Sequence, residues 1–208
     1  MHDRDPNGPI TVVNRFEVKG DTATFERELR RHHTFLRQRP GFDFLVTVRL
    51  VDRPRTYVHF GHWRRLSGFL DTAHDDAFVA QVQRLGPLVD TEADQARSVD
   101  RALRANAAVG DPAVVLLSCR VRDHSAFEKA YLALGETSGR LGGFGGSDLL
   151  RSMVRPLSYT GVQWWRDAGH CERALASDAY RAALAELSAH AVITTERGHH
   201  LAYERAVD

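Results

Sequence analysis

The sequence repeats itself without a gap at a spacing of 102 residues, the step from Phe25 to Phe127. At that spacing Phe127-Glu128 falls on Phe25-Glu26, Gly143-Phe144 on Gly41-Phe42 and Arg155-Pro156 on Arg53-Pro54. Tyr159 falls on Tyr57, Trp165-Arg166 on Trp63-Arg64, and Asp178-Ala179-Tyr180 on Asp76-Ala77-Phe78. Two units that hold register throughout must share one fold, so residues kept in both halves speak for packing and residues that differ become candidates for chemistry.

Each half alternates between two hydrophobic periods. Ile10, Val12, Asn14, Phe16 and Val18 share one face of a period-2 strand, which places Asn14 on the apolar face. From Asp21 the period becomes helical, with Phe25, Leu29, His32 and Leu36 on one stripe until Pro40-Gly41 stops it. Residues 42–51 and 57–63 read as a hairpin turning at Asp52-Arg53-Pro54, residues 66–85 as a helix broken near 73–76, and residues 90–103 as a final strand. The second half repeats this order, with a strand over 113–121, a helix over 123–139, a hairpin over 144–165, a helix over 168–187 and a strand over 191–203. The order β-α-β-β-α-β is the ferredoxin-like split-βαβ arrangement. The expected organisation is a flexible tail over 1–9, a first domain over 10–103, a linker over 104–112 and a second domain over 113–208. Helices cover one face of such a sheet, so the other face needs a partner. The other copy is the obvious one, and two sheets packed face to face give an α+β class pseudo-dimeric barrel within one chain. That chain is expected to be monomeric, with a further homodimer left open by its edge strands.

Composition narrows the function classes. The formal net charge is +1 with acids and bases interspersed, so nucleic acid and anionic membranes are not expected partners. The apolar runs, such as Val114 to Leu117, are far too short to span a bilayer, and the start of the chain lacks an apolar signal segment, which predicts a cytoplasmic protein. Cys119 and Cys171 fall on a predicted strand and helix at no metal-binding spacing and read as reduced structural thiols.

The segments Asn14-Arg15-Phe16, Pro40-Gly41-Phe42, Tyr57 followed six residues later by Trp63-Arg64, and Asp76-Ala77-Phe78 occur in the order and spacing of the antibiotic biosynthesis monooxygenase family. The chain resembles that family, part of the dimeric α+β barrel superfamily, over nearly its whole length. The resemblance implies oxidation of an activated aromatic or polyketide substrate by O2, typically an anthrone to a quinone, with no flavin, haem or metal cofactor. An electron-rich phenolate or carbanion can pass an electron to O2 itself, which leaves the protein to bind, deprotonate and stabilise the anion. Asn14 and Trp63 match the family's functional Asn and Trp. His32, on the buried helical stripe, is the candidate base. Phe16, Tyr57, His59 and Phe78 in the first half, and Trp165, Tyr159 and Tyr180 in the second, are the expected substrate-binding aromatics and imidazole. Asn14 and His32 become Leu116 and Leu134 in the second half, so a single working pocket in the first half is expected, with the second half either a structural partner or the holder of a different ligand at Trp164, Trp165, Tyr180 and His170.

Other chemistries fit less well. Haem-degrading relatives need an axial His where this chain has Val82 and Leu184. His59 and His62 lie three apart on a strand and point to opposite faces, and so do His199 and His200, which argues against a metal pair. The glycine run from Gly139 to Gly146 follows a helix and precedes a strand, the reverse of a dinucleotide-binding loop, and reads as a helix stop. No nucleophile elbow is present. A polyketide cyclase of the same fold, or a non-catalytic small-molecule-binding protein, would use the same kind of cleft.

Overall fold

The apolar alternation at the start of the chain forms strand β1 (Ile10–Val18) in the computed structural model, which describes residues 5–106 and 108–207. Residues 1–4 of the expected tail and residue 107 of the expected linker lie outside the described residues. Residues Pro6 and Gly8 of the tail are held in place, their carbonyls accepting hydrogen bonds from Ser67 and Leu66.

The remaining elements follow in the expected order: α1 (Thr22–Arg37), β2 (Phe42–Leu50), β3 (Thr56–Trp63), α2 (Leu66–Ala73), α3 (Asp76–Leu85) and β4 (Val89–Leu103). The second half supplies β5 (Val114–Val121), α4 (His124–Arg140), β6 (Phe144–Ser152), β7 (Ser158–Trp165), α5 (Ala168–Ala176), α6 (Asp178–His190) and β8 (Ala191–Arg205). Local signals set the boundaries and recur at the same spacing. Asp21 caps α1 through the Thr24 amide and Asp123 caps α4 through the Ala126 amide. Gly41 and Gly143 turn the chain into β2 and β6 with φ of 81° and 78°, a region that favours glycine. The single helix expected over 168–187 is two helices. Ser177 adopts extended φ/ψ and its Oγ accepts from the Tyr180 amide at 3.2 Å, restarting the helix as Asp75 does through Ala77 before α3.

The strands hydrogen-bond in the order β1-β3-β2-β8-β5-β7-β6-β4 and close into an antiparallel barrel, the α+β architecture that the repeat predicts. Two compact units divide the chain, one running to Ala96 and resuming at Leu201, the other spanning Arg97–His200. The division falls inside β4 and β8, the two longest strands.

In the first unit Phe16 and Val18 of β1 pack with Phe25 and Leu29 of α1, Tyr57 of β3 and Leu85 of α3. This core defines the helix-facing side of the sheet, and the period-2 rule puts Asn14 on that side as well. In the second unit the corresponding core contains Leu117, Phe127, Tyr131, Leu134, Trp165, Tyr180 and Leu187, all buried. No helix among the described residues is long and apolar enough to cross a membrane. Cys119 and Cys171 are buried and unbridged, and burial pushes their thiols up to about 12 and about 11, which keeps them protonated and inert.

Candidate active site

Antiparallel pairing aligns Asn14 of β1 with His59 of β3, and His59 with Thr47 of β2, so these three side chains form a row across the helix-facing side of the first sheet. Helix α1 lays His32 and His33 over that row. The His33 and His59 rings stack with centroids 5.1 Å apart, and the His32 ring lies 5.7 Å from Phe78 of α3 and 6.5 Å from His59. Phe35, one turn from His32, stacks on its ring and also meets Phe78. The sequence-predicted residues Asn14, His32, His59 and Phe78 are therefore one group.

Trp63 lies on the same face of β3, two pleats from His59, with Gly61 between them. A Cβ placed on Gly61 would stand 3.5 Å from His59 Nε2 and 3.8 Å from Trp63 Nε1. The imidazole and indole nitrogens thus converge over a residue with no side chain. Trp63 is itself anchored edge-on by Phe42 and Phe69. Neither the Asn14 amide nor the Trp63 indole N–H has a hydrogen-bond partner among the described residues, and Asn14 is half-buried rather than sealed. Polar groups that are near an apolar face and unpaired within the protein are available to a ligand.

The electrostatics of the row follow from burial. Desolvation, then the charge of neighbouring His33, lowers the His32 imidazole to about 4, so the expected base is a neutral and weak one at pH 7. His32 Nδ1 is buried and makes no hydrogen bond. His59 is held well below the usual imidazole range by burial first and then by the charges of His33, His32 and His62. Unlike His32, it is tied into a polar chain. Thr47 Oγ1 lies 3.0 Å from His59 Nδ1 and 3.3 Å from His33 Nε2, and His33 Nδ1 lies 3.1 Å from Glu204 Oε1. Arg37 donates to the other oxygen of Glu204 at 3.0 Å. Thr47, His33, Glu204 and Gly61 were not legible as site residues. Only the strand register and the return of β8 bring them together, although all four change character at the repeat spacing.

Phe16 and Tyr57 sit farther along the same face, inside the core. The Tyr57 hydroxyl donates to Glu26 Oε1 at 2.7 Å, and Arg49 reaches the same carboxylate at 3.7 Å. Tyr159 repeats this arrangement in the second unit with Glu128 and Arg151. Trp165 and Tyr180 are fully buried in the second core, with the Tyr180 hydroxyl donating to Gln163 Oε1 at 2.9 Å. His62 points to the opposite side of the sheet from His59 and contacts Thr11 at 2.9 Å and the Phe44 ring. Val82, at the position where haem-degrading relatives carry their ligand, is exposed on α3 and has no donor atom to offer iron. Among the described residues no three His, Cys, Asp or Glu side chains are grouped to hold a metal. A polar groove of about 570 Å³ opens near the start of α2 between Arg39, Gly41, Arg65, Gly68 and Asp71. None of the expected site residues lines it, and its charged, open walls suit an aromatic ligand less well than the row on the sheet.

No family model matches the sequence. Over 83 residues, 40% of this chain and 70% of the relative, it is 30% identical to deoxynogalonate monooxygenase of Streptomyces nogalater. A candidate monooxygenase of Fusobacterium nucleatum superposes with a TM-score of 0.79 over 95% of this chain and 94% of that one, at 12% identity. An anthrone oxidase-like protein superposes with a TM-score of 0.72 over 98% and 95% of the two chains, at 15% identity. At such identities structural likeness speaks for the fold, and the sequence relative speaks for the family. With the motifs of β1, β3 and α3 in place, the chain belongs to the antibiotic biosynthesis monooxygenase family as a tandem two-domain member.

Proposed function

We propose that the first unit oxidises an electron-rich aromatic polyketide, of the kind in which a ring methylene becomes a ring carbonyl, using O2 and no cofactor. The approach of His59 Nε2 and the Trp63 indole N–H over Gly61, with Asn14 in register with His59 on the same face, carries this reading. Deprotonation of the methylene gives a delocalised carbanion, whose oxyanion the Asn14 amide can stabilise. The carbanion passes one electron to O2, and the resulting radical pair joins as a peroxide. Loss of water then leaves one oxygen atom in the new carbonyl and takes the other away with the two methylene hydrogens, so no external reductant is needed. Trp63, Phe35 and Phe78 supply flat apolar surface against which such a ring system can lie. The relatives support this class of chemistry: one is named for oxygenating deoxynogalonate and another is described as anthrone oxidase-like. The protein works in this reading as a single chain in the cytoplasm.

Purified protein incubated with anthrone-type compounds and no added cofactor is expected to consume O2 in equal amount with quinone formed. Dehydrated or cyclised product without O2 uptake would make it a cyclase. Saturable binding without turnover would make it a binding protein.

A further inference from the structure

The hydrogen-bond chain behind His59 fixes which of its nitrogens can accept a proton. Glu204, held by Arg37, is a carboxylate and can only accept, so the hydrogen between it and His33 sits on His33 Nδ1. When His33 carries its hydrogen on Nδ1 alone, its Nε2 is bare and the single Thr47 hydroxyl proton satisfies it. With its proton spent there, Thr47 Oγ1 accepts from His59 Nδ1–H. In that arrangement His59 carries its hydrogen on Nδ1 and its Nε2 bears a free lone pair, beside Gly61 and the Trp63 indole.

We propose that His59 Nε2 is the base of the reaction and that Thr47, His33 and Glu204 form a relay that carries the abstracted proton away. The substrate proton binds His59 Nε2, the Nδ1 proton moves to Thr47 Oγ1, and the Thr47 proton moves to His33 Nε2. His33 becomes an imidazolium paired with Glu204, His59 is neutral again with its hydrogen on Nε2, and no charge is left on the most buried ring. When His59 Nε2 gives its proton to the departing peroxide oxygen, the His33 Nε2 proton returns to Thr47 Oγ1 and the Thr47 proton returns to His59 Nδ1, which restores the chain. The relay answers a difficulty set by burial, because the environment that keeps His59 neutral also makes it a poor resting place for a proton. His32 has no such outlet, its Nδ1 being buried without a partner. The relay is absent from the second unit, where His59, Thr47, His33 and Glu204 correspond to Gly161, Leu149, Gly135 and Ala102.

This inference rests on the oxygenase reading for its substrate, and its test separates the two. Nitrogen-15 NMR of histidine-labelled protein reads the tautomer without any substrate. His59 is expected in the Nδ1–H form in the wild type and is expected to shift towards Nε2–H in Thr47→Val, where the hydroxyl is lost. The charged and titratable groups beside the chain are His32 and Arg37 from α1, with His62 of β3 on the opposite side of the sheet. His62→Gln is the control for a simple electrostatic shift. In O2-uptake assays Thr47→Val is expected to lower kcat by about 10²-fold or more with little change in KM, and Thr47→Ser is expected to restore it. Glu204→Gln is expected to lower kcat and to flatten the acidic limb of the pH–rate profile. An Nε2–H tautomer of His59 in the wild type, or full turnover in Thr47→Val, overturns the relay. The expected tautomers in a protein that consumes no O2 overturn the oxygenase reading and leave the poised base standing.

Discussion

The two halves of this chain share a skeleton and part company at one patch of it. In the first unit the helix-facing side of the sheet carries Asn14, His59 and Thr47 under His32 and His33. In the second unit the matching positions are Leu116, Gly161, Leu149, Leu134 and Gly135, and the space is full. A Cβ on Gly161 would stand 2.8 Å from Tyr131 Cε2, so the tyrosine ring covers the place that the His59 imidazole takes in the first unit. Gln163, the counterpart of Gly61, fills the remaining room and bonds the Tyr180 hydroxyl at 2.9 Å and Ser138 at 3.5 Å. Both halves retain the Tyr57–Glu26–Arg49 cluster and its Tyr159–Glu128–Arg151 twin, the capping aspartates and the turn glycines, all of which serve packing and boundaries. In the proposed reading duplication separates packing from chemistry within one molecule, and the second unit serves as an internal control for the first.

The contrast can be broken most forcefully at Asn14. Asn14→Ala is expected to lower kcat by about 10²–10³-fold, the usual effect of removing an oxyanion donor. Leu116→Ala, the same change in the second half, is expected to leave turnover per folded molecule unchanged and to cost about 2–5 kcal/mol of stability in denaturant titrations. Either result reversed would move the site to the second unit.

Trp63 and Trp165 sharpen the contrast because the residue is shared while its use is not. Trp63→Phe keeps the packing against Phe42 and Phe69, and is expected to reduce turnover while leaving the thermal midpoint nearly unchanged. Trp63→Ala loses both. Trp165→Phe is expected to change neither turnover nor stability greatly, since its buried indole N–H has no partner to lose.

The two halves should also differ in their response to acid. The folded state holds His32 neutral down to about 4, whereas an unfolded chain protonates it near 6.5. A depressed folded pKa means stability that is complete above pH 6.5 and falls as pH drops towards 4. At about 1.4 kcal/mol per pH unit this amounts to ~3 kcal/mol. His32→Leu, which installs the residue of the second half, is expected to make the decline of stability between pH 6.5 and 4 shallower, with His59 supplying what remains. An unchanged slope would show that the His32 ring is open to water in the folded state.

The smallest expected effect runs the other way. Asp167 caps α5 through the His170 amide at 2.9 Å, whereas its counterpart Arg65 offers α2 no such cap. Bonds from the His170 backbone and side chain hold this exposed carboxylate down to about 2. Its contribution is present above pH 3.8 and lost as pH falls through about 2. Asp167→Asn is expected to be slightly destabilising at neutral pH and indistinguishable from wild type in thermal melts near pH 2.

Much of the fold was legible because its signals are local. The period-2 run from Ile10 to Val18, the aspartate before α1 and the Pro40-Gly41 stop each fix a boundary without help from the rest of the chain. The break at Ser177 was missed because serine in a helical run is ambiguous until its hydroxyl is seen to accept the Tyr180 amide. Asn14, His32 and His59 were readable from face and register. Thr47, His33 and Glu204 were not, because their partnership depends on β2 pairing with β3 and on the last residues of β8 returning beside α1, contacts that span up to 171 residues of sequence. Gly61 carried no signal of its own. Its meaning emerges only beside Gln163, which occupies the corresponding space with a side chain.

Gly61→Gln writes the residue of the filled half into the half proposed to work. Space for a Cβ exists there, with the nearest atoms 3.5–3.9 Å away, and Gly61 has no positive φ that would resist a side chain. The variant is expected to fold and melt close to wild type while losing nearly all substrate-dependent O2 uptake. A folded Gly61→Gln protein that still turns over at the wild-type rate, with activity lost instead on Tyr180→Phe, would place the site in the second unit and contradict the account.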